Sequence, residues 1–318
     1  MSNTKVTSVA KPFLKWAGGK TQLINSIEEA LPKNLFVEEF TYIEPFVGSG
    51  AVLFWILNNF PNLKKAVIND VNSDLINTYR TIAKSPKELI SVLKEIQSEY
   101  HSLQNDLETQ NDCYILLREF YNTREADKVT QAALFIFLNK AGFNGIYRVN
   151  GKNLYNVPKG SSATPPICDE INILAVSAAL QKVEILEGDY HQTLNYATEK
   201  SFFYFDPPYK PLSQTSSFNS YTKAEFNDDE QIRLKRFCNH LDKEGHSWML
   251  SNSDVRGNDP SNDFFDELYN EFIIKRVLAR RSVNSNPEKR GLLSELLITN
   301  YFSNSEIYGK QRVLVENI

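Results

Sequence analysis

Two kinds of apolar pattern alternate along the chain. Short, nearly continuous apolar runs come first, in "FTYIEPFVGSG" (40–50) and "KKAVINDVNSD" (64–74). Each has strand length and ends in polar residues, so each reads as a buried strand. Between them "AVLFWILNNF" has helical character. After Asp70 the period changes and stays helical to about residue 140. "PKELISVLKEIQSEYHSL" sets apolar residues at three- and four-residue steps, and "YILLREFYN" and "VTQAALFIFLNKAGF" continue the pattern. The stretch "NGIYRVNGKNLYNVPKGSSATPP" (144–166) is turn-rich and basic, with glycines at 145, 151 and 160, and predicts a hairpin or irregular loop. Strand-like runs return in "VEILEGDY", "SFFYFDPPY" and "SWMLSNSD". A final strand pair is predicted from "FIIKRVLARRSV" and "SELLITNYF", flanking "NSNPEKRGL".

Strands alternating with helices predict an α/β protein with a parallel, doubly wound sheet. The region 81–167 breaks that rhythm. It is expected to be an inserted, mostly helical domain with a basic tip, with 1–80 and 168–318 forming the sheet domain.

Composition changes this picture in one respect. The net charge of −4 argues against a nucleic-acid partner, but the charges are segregated. Residues 1–27 carry four lysines and no acid, 128–168 five basic residues and no acid, and 272–290 six basic residues against one Glu. The rest of the chain therefore carries −18, and a basic surface is compatible with an acidic total. Clustering on solvated faces is the plainer reading of the same runs. No run approaches the ~20 apolar residues of a membrane span, and the N-terminus lacks a charged-then-apolar leader. Cys113, Cys168 and Cys238 are far apart and in no metal-ligand spacing. A cytoplasmic protein without a structural metal is expected.

"FLKWAGGKT" (13–21) ends like a phosphate-binding loop. That loop needs a glycine five residues before Gly19, where Leu14 stands, and a preceding apolar strand, where a polar leader with Pro12 stands. A nucleoside-triphosphate site is excluded on both counts.

In open α/β sheets ligands bind beyond the carboxyl ends of the strands. Three polar signatures sit there. Gly48 and Gly50 of "EPFVGSG" allow a tight turn against a ligand. Asp70, twenty residues after Gly50, is placed to hydrogen-bond ribose hydroxyls, and the pair suggests an adenosine moiety over a structural turn. "DPPY" is either a simple turn or a rigid acceptor array. In the second reading the Asp206 carboxylate and the Pro207 carbonyl accept both hydrogens of a planar amino group while Tyr209 stacks on its ring. Such acceptors favour the pyramidal amine that can attack.

"FLKWAGGK", "EPFVGSG", "NDVNSDL", "GFNGIYRVN…YNVPKG", "DPPY" and the late "RRSVNSN", in this order, resemble the Dam-type DNA adenine-N6 methyltransferases over most of residues 11–300. The resemblance implies a Rossmann-like S-adenosylmethionine-dependent sheet with an inserted target recognition domain. It implies methyl transfer from S-adenosylmethionine, without a metal, to N6 of an adenine flipped out of double-stranded DNA. GATC or a GATC-like site is the expected target. By the same resemblance Trp16, Lys20, Phe46, Asp70, Asp189 and Asp206 lie against the donor. Trp16 and Phe46 could equally be core, and Asp189 a cap or turn. In the insert, Arg148 is expected to read guanine bidentately, with a phosphate or carboxylate partner as the alternative. Phe143 is expected to wedge into the duplex, Asn144 to touch phosphate, Ile146 to meet a thymine methyl and Lys15 to reach the first base pair. Many members have Tyr and Leu where Phe143 and Ile146 stand. Arg280, Arg281 and Lys289 are expected to straddle the DNA backbone, or to form a solvated hairpin. A monomer, alone or functionally paired with a restriction endonuclease, is consistent with the resemblance. The alternatives are an RNA adenine methyltransferase and a catalytically inactive DNA-binding relative.

Overall fold

The computed structural model describes residues 8–16, 18–209, 226–257, 259–280 and 292–302. Seven strands form one sheet: β1 (Phe40–Glu44), β2 (Leu63–Asp70), β3 (Val183–Glu187), β4 (Ser201–Phe205), β5 (Ser247–Ser253), β6 (Ile273–Arg280) and β7 (Leu292–Thr299). Their order is β3-β2-β1-β4-β5-β7-β6. The helices are α1 (Ile24–Ala30), α2 (Ala51–Asn59), α3 (Ser73–Lys84), α4 (Pro86–Ser102), α5 (Leu107–Thr123), α6 (Lys128–Ala141), α7 (Glu170–Ala179), α8 (Asp228–Lys243) and α9 (Phe264–Leu268).

β1 and β4 are buried along their whole length, as parallel strands covered on both faces must be. Alternate residues feed two cores. Tyr42, Phe202 and Tyr204 face α1–α7, while Ile43, Phe203 and Phe205 face α8 and α9. The chain runs outward from β1 to β2 and β3 on one side and from β4 to β5 on the other, so the order reverses between β1 and β4. That switch point opens a crevice beyond their carboxyl ends.

The expectation of a parallel sheet needs one correction. β7 runs antiparallel, between β5 and β6. A short connection can join only antiparallel neighbours, because a parallel return needs a crossover of a dozen residues or more.

The helical region packs on α7 and on α3, which itself lies against β2 and β3, rather than standing apart. α4 buries Leu89, Leu93, Ile96 and Tyr100 along one face. α6 buries every residue from Gln131 to Asn139, so it is apolar nearly all round and reads poorly as amphipathic. Phe135, Phe137, Tyr147 and Tyr155 of this region belong to the same core as Tyr42 and Tyr204 of the sheet.

Candidate active site and basic hairpin

The turn after β1 is built from below. Gly48 and Gly50 have φ of 49° and 74°, in the left-handed region that glycine favours. A Cβ on Gly50 would stand 2.5 Å from the Tyr79 hydroxyl, and one on Gly48 would stand 3.1 Å from Trp16 Nε1. The Tyr79 hydroxyl donates to the Gly48 carbonyl (3.0 Å). Asp70 accepts from the backbone N–H groups of Gly48 (3.1 Å) and Asn72 (2.9 Å), fixing the turn to the end of β2. Burial raises its carboxyl and these donors pull it back. Asn69 donates to Pro45 O (3.1 Å) and Gly188 O (2.9 Å), so one buried amide joins the ends of three strands. Beneath the turn, buried Glu44 accepts from the Tyr42 hydroxyl (2.8 Å) and from the Leu53 N–H in the first turn of α2. Burial pushes the Glu44 carboxyl well above its ordinary value.

Phe46 is half-buried against Tyr190 and Phe226, at ring separations of 5.1 and 5.7 Å. Asp189 caps the short helical turn Tyr190–Tyr196 by accepting from His191 N (2.9 Å). It also pairs with the His191 ring and with Arg233 of α8. Burial raises its carboxyl, but the Arg233 and His191 bonds outweigh burial and hold it below its ordinary value. The cap expected as the plainer role of Asp189 is thus present, and the carboxylate remains half-exposed.

Asp206 follows β4 directly. Its Oδ1 lies 2.9 Å from Lys20 Nζ and accepts from Ser251 Oγ (3.3 Å). Lys20 is only 3% exposed, whereas Asp206 keeps 21% of its side chain open, so a ligand reaches the acid and not the lysine's surroundings. Lys20 also donates to Gly18 O (3.2 Å), contacts the Tyr209 hydroxyl, and lies 3.4 Å from Glu295 Oε2. The Tyr209 hydroxyl donates to the same Glu295 oxygen (2.7 Å). Burial raises the Asp206 carboxyl, Lys20 opposes that rise, and Glu295 adds to it.

The basic tip is a hairpin, with bridges between Gly142 and Lys159 and between Val149 and Tyr155. Phe143 is 50% exposed, and the exposed Asn144 has φ 54°. Ile146 and Arg148 are half-buried. The Arg148 guanidinium donates from Nε to Asn156 Oδ1 (2.8 Å) and from Nη2 to Asn156 O (3.2 Å), using two of its five donors. Asn139 of α6 clamps this hairpin to the N-terminal segment. It accepts from Lys15 N (2.9 Å) and donates to Lys15 O (2.8 Å) and Gly145 O (2.9 Å). The Lys15 side chain lies against Gly145, where a Cβ would come within 2.5 Å of it. Trp16 stacks on Tyr147 at 5.7 Å.

The structure therefore brings Trp16, Lys20, Gly48, Gly50, Asp70, Asp206 and Tyr209 to one crevice. Lys15, Phe143, Asn144, Ile146 and Arg148 gather at its rim. Arg280 ends β6, and Arg281 and Lys289 lie outside the described residues. Sequence reasoning passed over Glu44, Asn139, Arg233 and Glu295. Asn139 had a readable signal, as a polar residue inside the apolar run "AALFIFLNKAGF". Glu295 had none, because an acid in an alternating strand reads as solvent-facing. Among the described residues no helix is long and apolar enough to cross a membrane, and no acidic, His or Cys cluster is arranged to hold a metal ion.

Comparison with known proteins agrees with this geometry. The chain is 48% identical to the Type II methyltransferase M.MjaIII of Methanocaldococcus jannaschii, over 92% of this chain and 99% of that protein. It is 37% identical to the Type II methyltransferase M1.LlaDCHI of Lactococcus lactis subsp. cremoris, covering 92% and 95%. It is 35% identical to the DNA adenine methylase of Haemophilus influenzae, covering 90% and 92%. Residues 16–283, which span the glycine turn, the hairpin and the acid of "DPPY", match the D12 class of N6 adenine-specific DNA methyltransferases, and the chain belongs to that family.

Proposed function

We propose that the chain transfers a methyl group from S-adenosylmethionine to N6 of an adenine flipped out of double-stranded DNA, within GATC or a GATC-like site. The observation that carries this reading is the position of Asp206 at the switch point, reachable and beside the glycine turn. The crevice suits the donor. Gly48 and Gly50 leave a cradle that side chains would fill, Asp70 offers a carboxylate at ribose level, and Phe46 offers a partly open aromatic face. Trp16, Lys20 and Asp189 complete the donor set. The bound donor supplies an electrophilic methyl on a sulfonium.

Everything else is the work of the chain. The Asp206 carboxylate and the Pro207 carbonyl accept the two N6 hydrogens, localising the lone pair on nitrogen. Tyr209 stacks on the base. Flipping costs a few kcal/mol, which the wedge Phe143 and the stack offset. Arg148, oriented by Asn156, reads guanine, Ile146 meets a thymine methyl, and Asn144 and Lys15 hold the flanking duplex. Arg280, Arg281 and Lys289 contribute backbone contacts. On this reading 81–167 is the recognition unit, and 1–80 with 168–318 the catalytic unit. The enzyme acts as a cytoplasmic monomer, and its Type II relatives support a functional pairing with a restriction endonuclease. The test is expression in a host free of DNA methylation, followed by single-molecule mapping of N6-methyladenine. A single GATC-containing motif is expected, and an unmodified genome would overturn the reading.

A further inference from the structure

We propose that Glu295 is a positioning residue for methyl transfer, sharing the charge of Lys20 so that Asp206 stays available to the target amine. This inference rests on the role given to Asp206 above. β7 is the antiparallel strand, so Glu295, near its start, arrives at the carboxyl ends of β4 and β5, opposite Ser253. Its Oε2 accepts from the Tyr209 hydroxyl (2.7 Å) and lies 3.4 Å from Lys20 Nζ, which is 2.9 Å from Asp206 Oδ1. The lysine is buried, so water cannot take up its charge, and two carboxylates divide it. With Glu295 neutral, the ammonium would fall wholly to Asp206. A carboxylate oxygen already engaged in a charge-assisted bond is a weaker acceptor for an amine hydrogen. The same Glu295 oxygen fixes the hydroxyl end of Tyr209, and with it the plane on which the base stacks.

The groups facing Asp206 are Lys20, Glu295 from β7, Tyr204 and Tyr209 from the β4 end, and Tyr42 and Glu44 from β1. Among these described groups Glu295 alone is a carboxylate within reach of Lys20. Removing its charge therefore lowers the Asp206 carboxyl, because one influence that raised it is gone while Lys20 remains.

The test uses the full chain with Glu295→Gln and Glu295→Asp. Single-turnover transfer at saturating DNA and donor is expected to fall about tenfold in E295Q, with DNA affinity within about twofold of wild type. The acid limb of its pH–rate profile moves to lower pH, and E295D, which keeps the charge, retains the wild-type limb. A carbon NMR titration of the Asp206 carboxyl in ligand-free protein, assigned through Asp206→Asn, shows the same downward shift in E295Q. Wild-type rate and an unshifted titration in E295Q would overturn the proposal, as would an equal shift in E295D. Absence of transfer by the wild-type protein, with the titration shift still present, would sink the proposed function and leave the role of Glu295 as the counter-charge of Lys20 standing.

Discussion

The crevice at the strand ends and the hairpin at its rim solve opposite problems. In the crevice the polar groups are buried and engaged with one another. Lys20 faces two carboxylates, Asp70 holds two backbone N–H groups, and Glu44 ties β1 to α2. At the hairpin Phe143 is half-exposed and Asn144 sits in a left-handed turn, while Ile146 and Arg148 are half-buried. One neutral amide, Asn139, joins the two regions. Chemistry needs groups fixed before the substrate arrives, whereas recognition needs groups left for the partner to satisfy. On the proposed reading the chain builds both by placing the first at strand ends and the second on a hairpin.

The largest separation of the two regions is expected from Asp206→Ala. Methyl transfer should fall by at least about a thousandfold, since the amine loses a fixed charged acceptor. Binding to a duplex containing the target should persist, because the hairpin is untouched. Transfer at the wild-type rate would remove Asp206 from the chemistry.

Breaking the join has a different signature. Asn139→Ala strands the part-buried Lys15 N–H and Lys15 O and the buried Gly145 O. Unpaired buried groups of this kind should cost about 2–4 kcal/mol of stability, read by chemical denaturation. Donor and DNA affinity should fall together, because "FLKWAGGK" and the hairpin loosen at once. A loss confined to one ligand would show that the clamp serves only that side.

Arg148→Ala acts on the hairpin alone. Discrimination at one base pair should relax by about 1–3 kcal/mol, measured as the ratio of rates on matched and singly substituted duplexes. The rate on the best site should change less than the ratio. An unchanged profile would leave Arg148 a phosphate contact held by Asn156.

Much of the crevice was legible in the sequence because glycines and prolines have local consequences. The glycines of "EPFVGSG" permit positive φ at a turn, and Gly48 and Gly50 adopt it. Asp70 and Asp206 follow apolar strands and could be placed at strand ends by counting. What could not be read was pairing across distance. Nothing local says that Lys20 meets Glu295, or that Asp189 meets Arg233, because those contacts depend on the order of strands in the sheet. The antiparallel β7 is the clearest case. Its apolar run is visible in "SELLITNYF", but its place between β5 and β6 depends on the other strands of the sheet and not on its own residues. α6 was legible as a helix, yet its burial on nearly every face hid which side met α3.

The smallest effect tests the buried side of the comparison most sharply. Glu44 is 2% exposed, and burial raises its carboxyl well above the ordinary 4.5. A raised folded value means that the folded state holds a proton the unfolded state releases. Stability is then greatest below the unfolded value and declines as pH rises toward the folded one, by up to about 1.4 kcal/mol per pH unit inside that window. Glu44→Gln keeps the size and an acceptor for the Tyr42 hydroxyl but has no proton to lose. Its second amide hydrogen needs a partner, so near the lower end of the window the variant should melt at or slightly below wild type. As pH rises above the unfolded value the wild-type protein alone should lose stability through this group, and the variant should gain on it steadily. Asp70 and Asp206, raised in the same direction, are present in both proteins, so they enter the difference only through their repulsion with Glu44. A difference in melting temperature that stays flat across that range would mean that Glu44 titrates as an ordinary carboxyl, and that the floor of the crevice is wetter than the rest of its polar contacts.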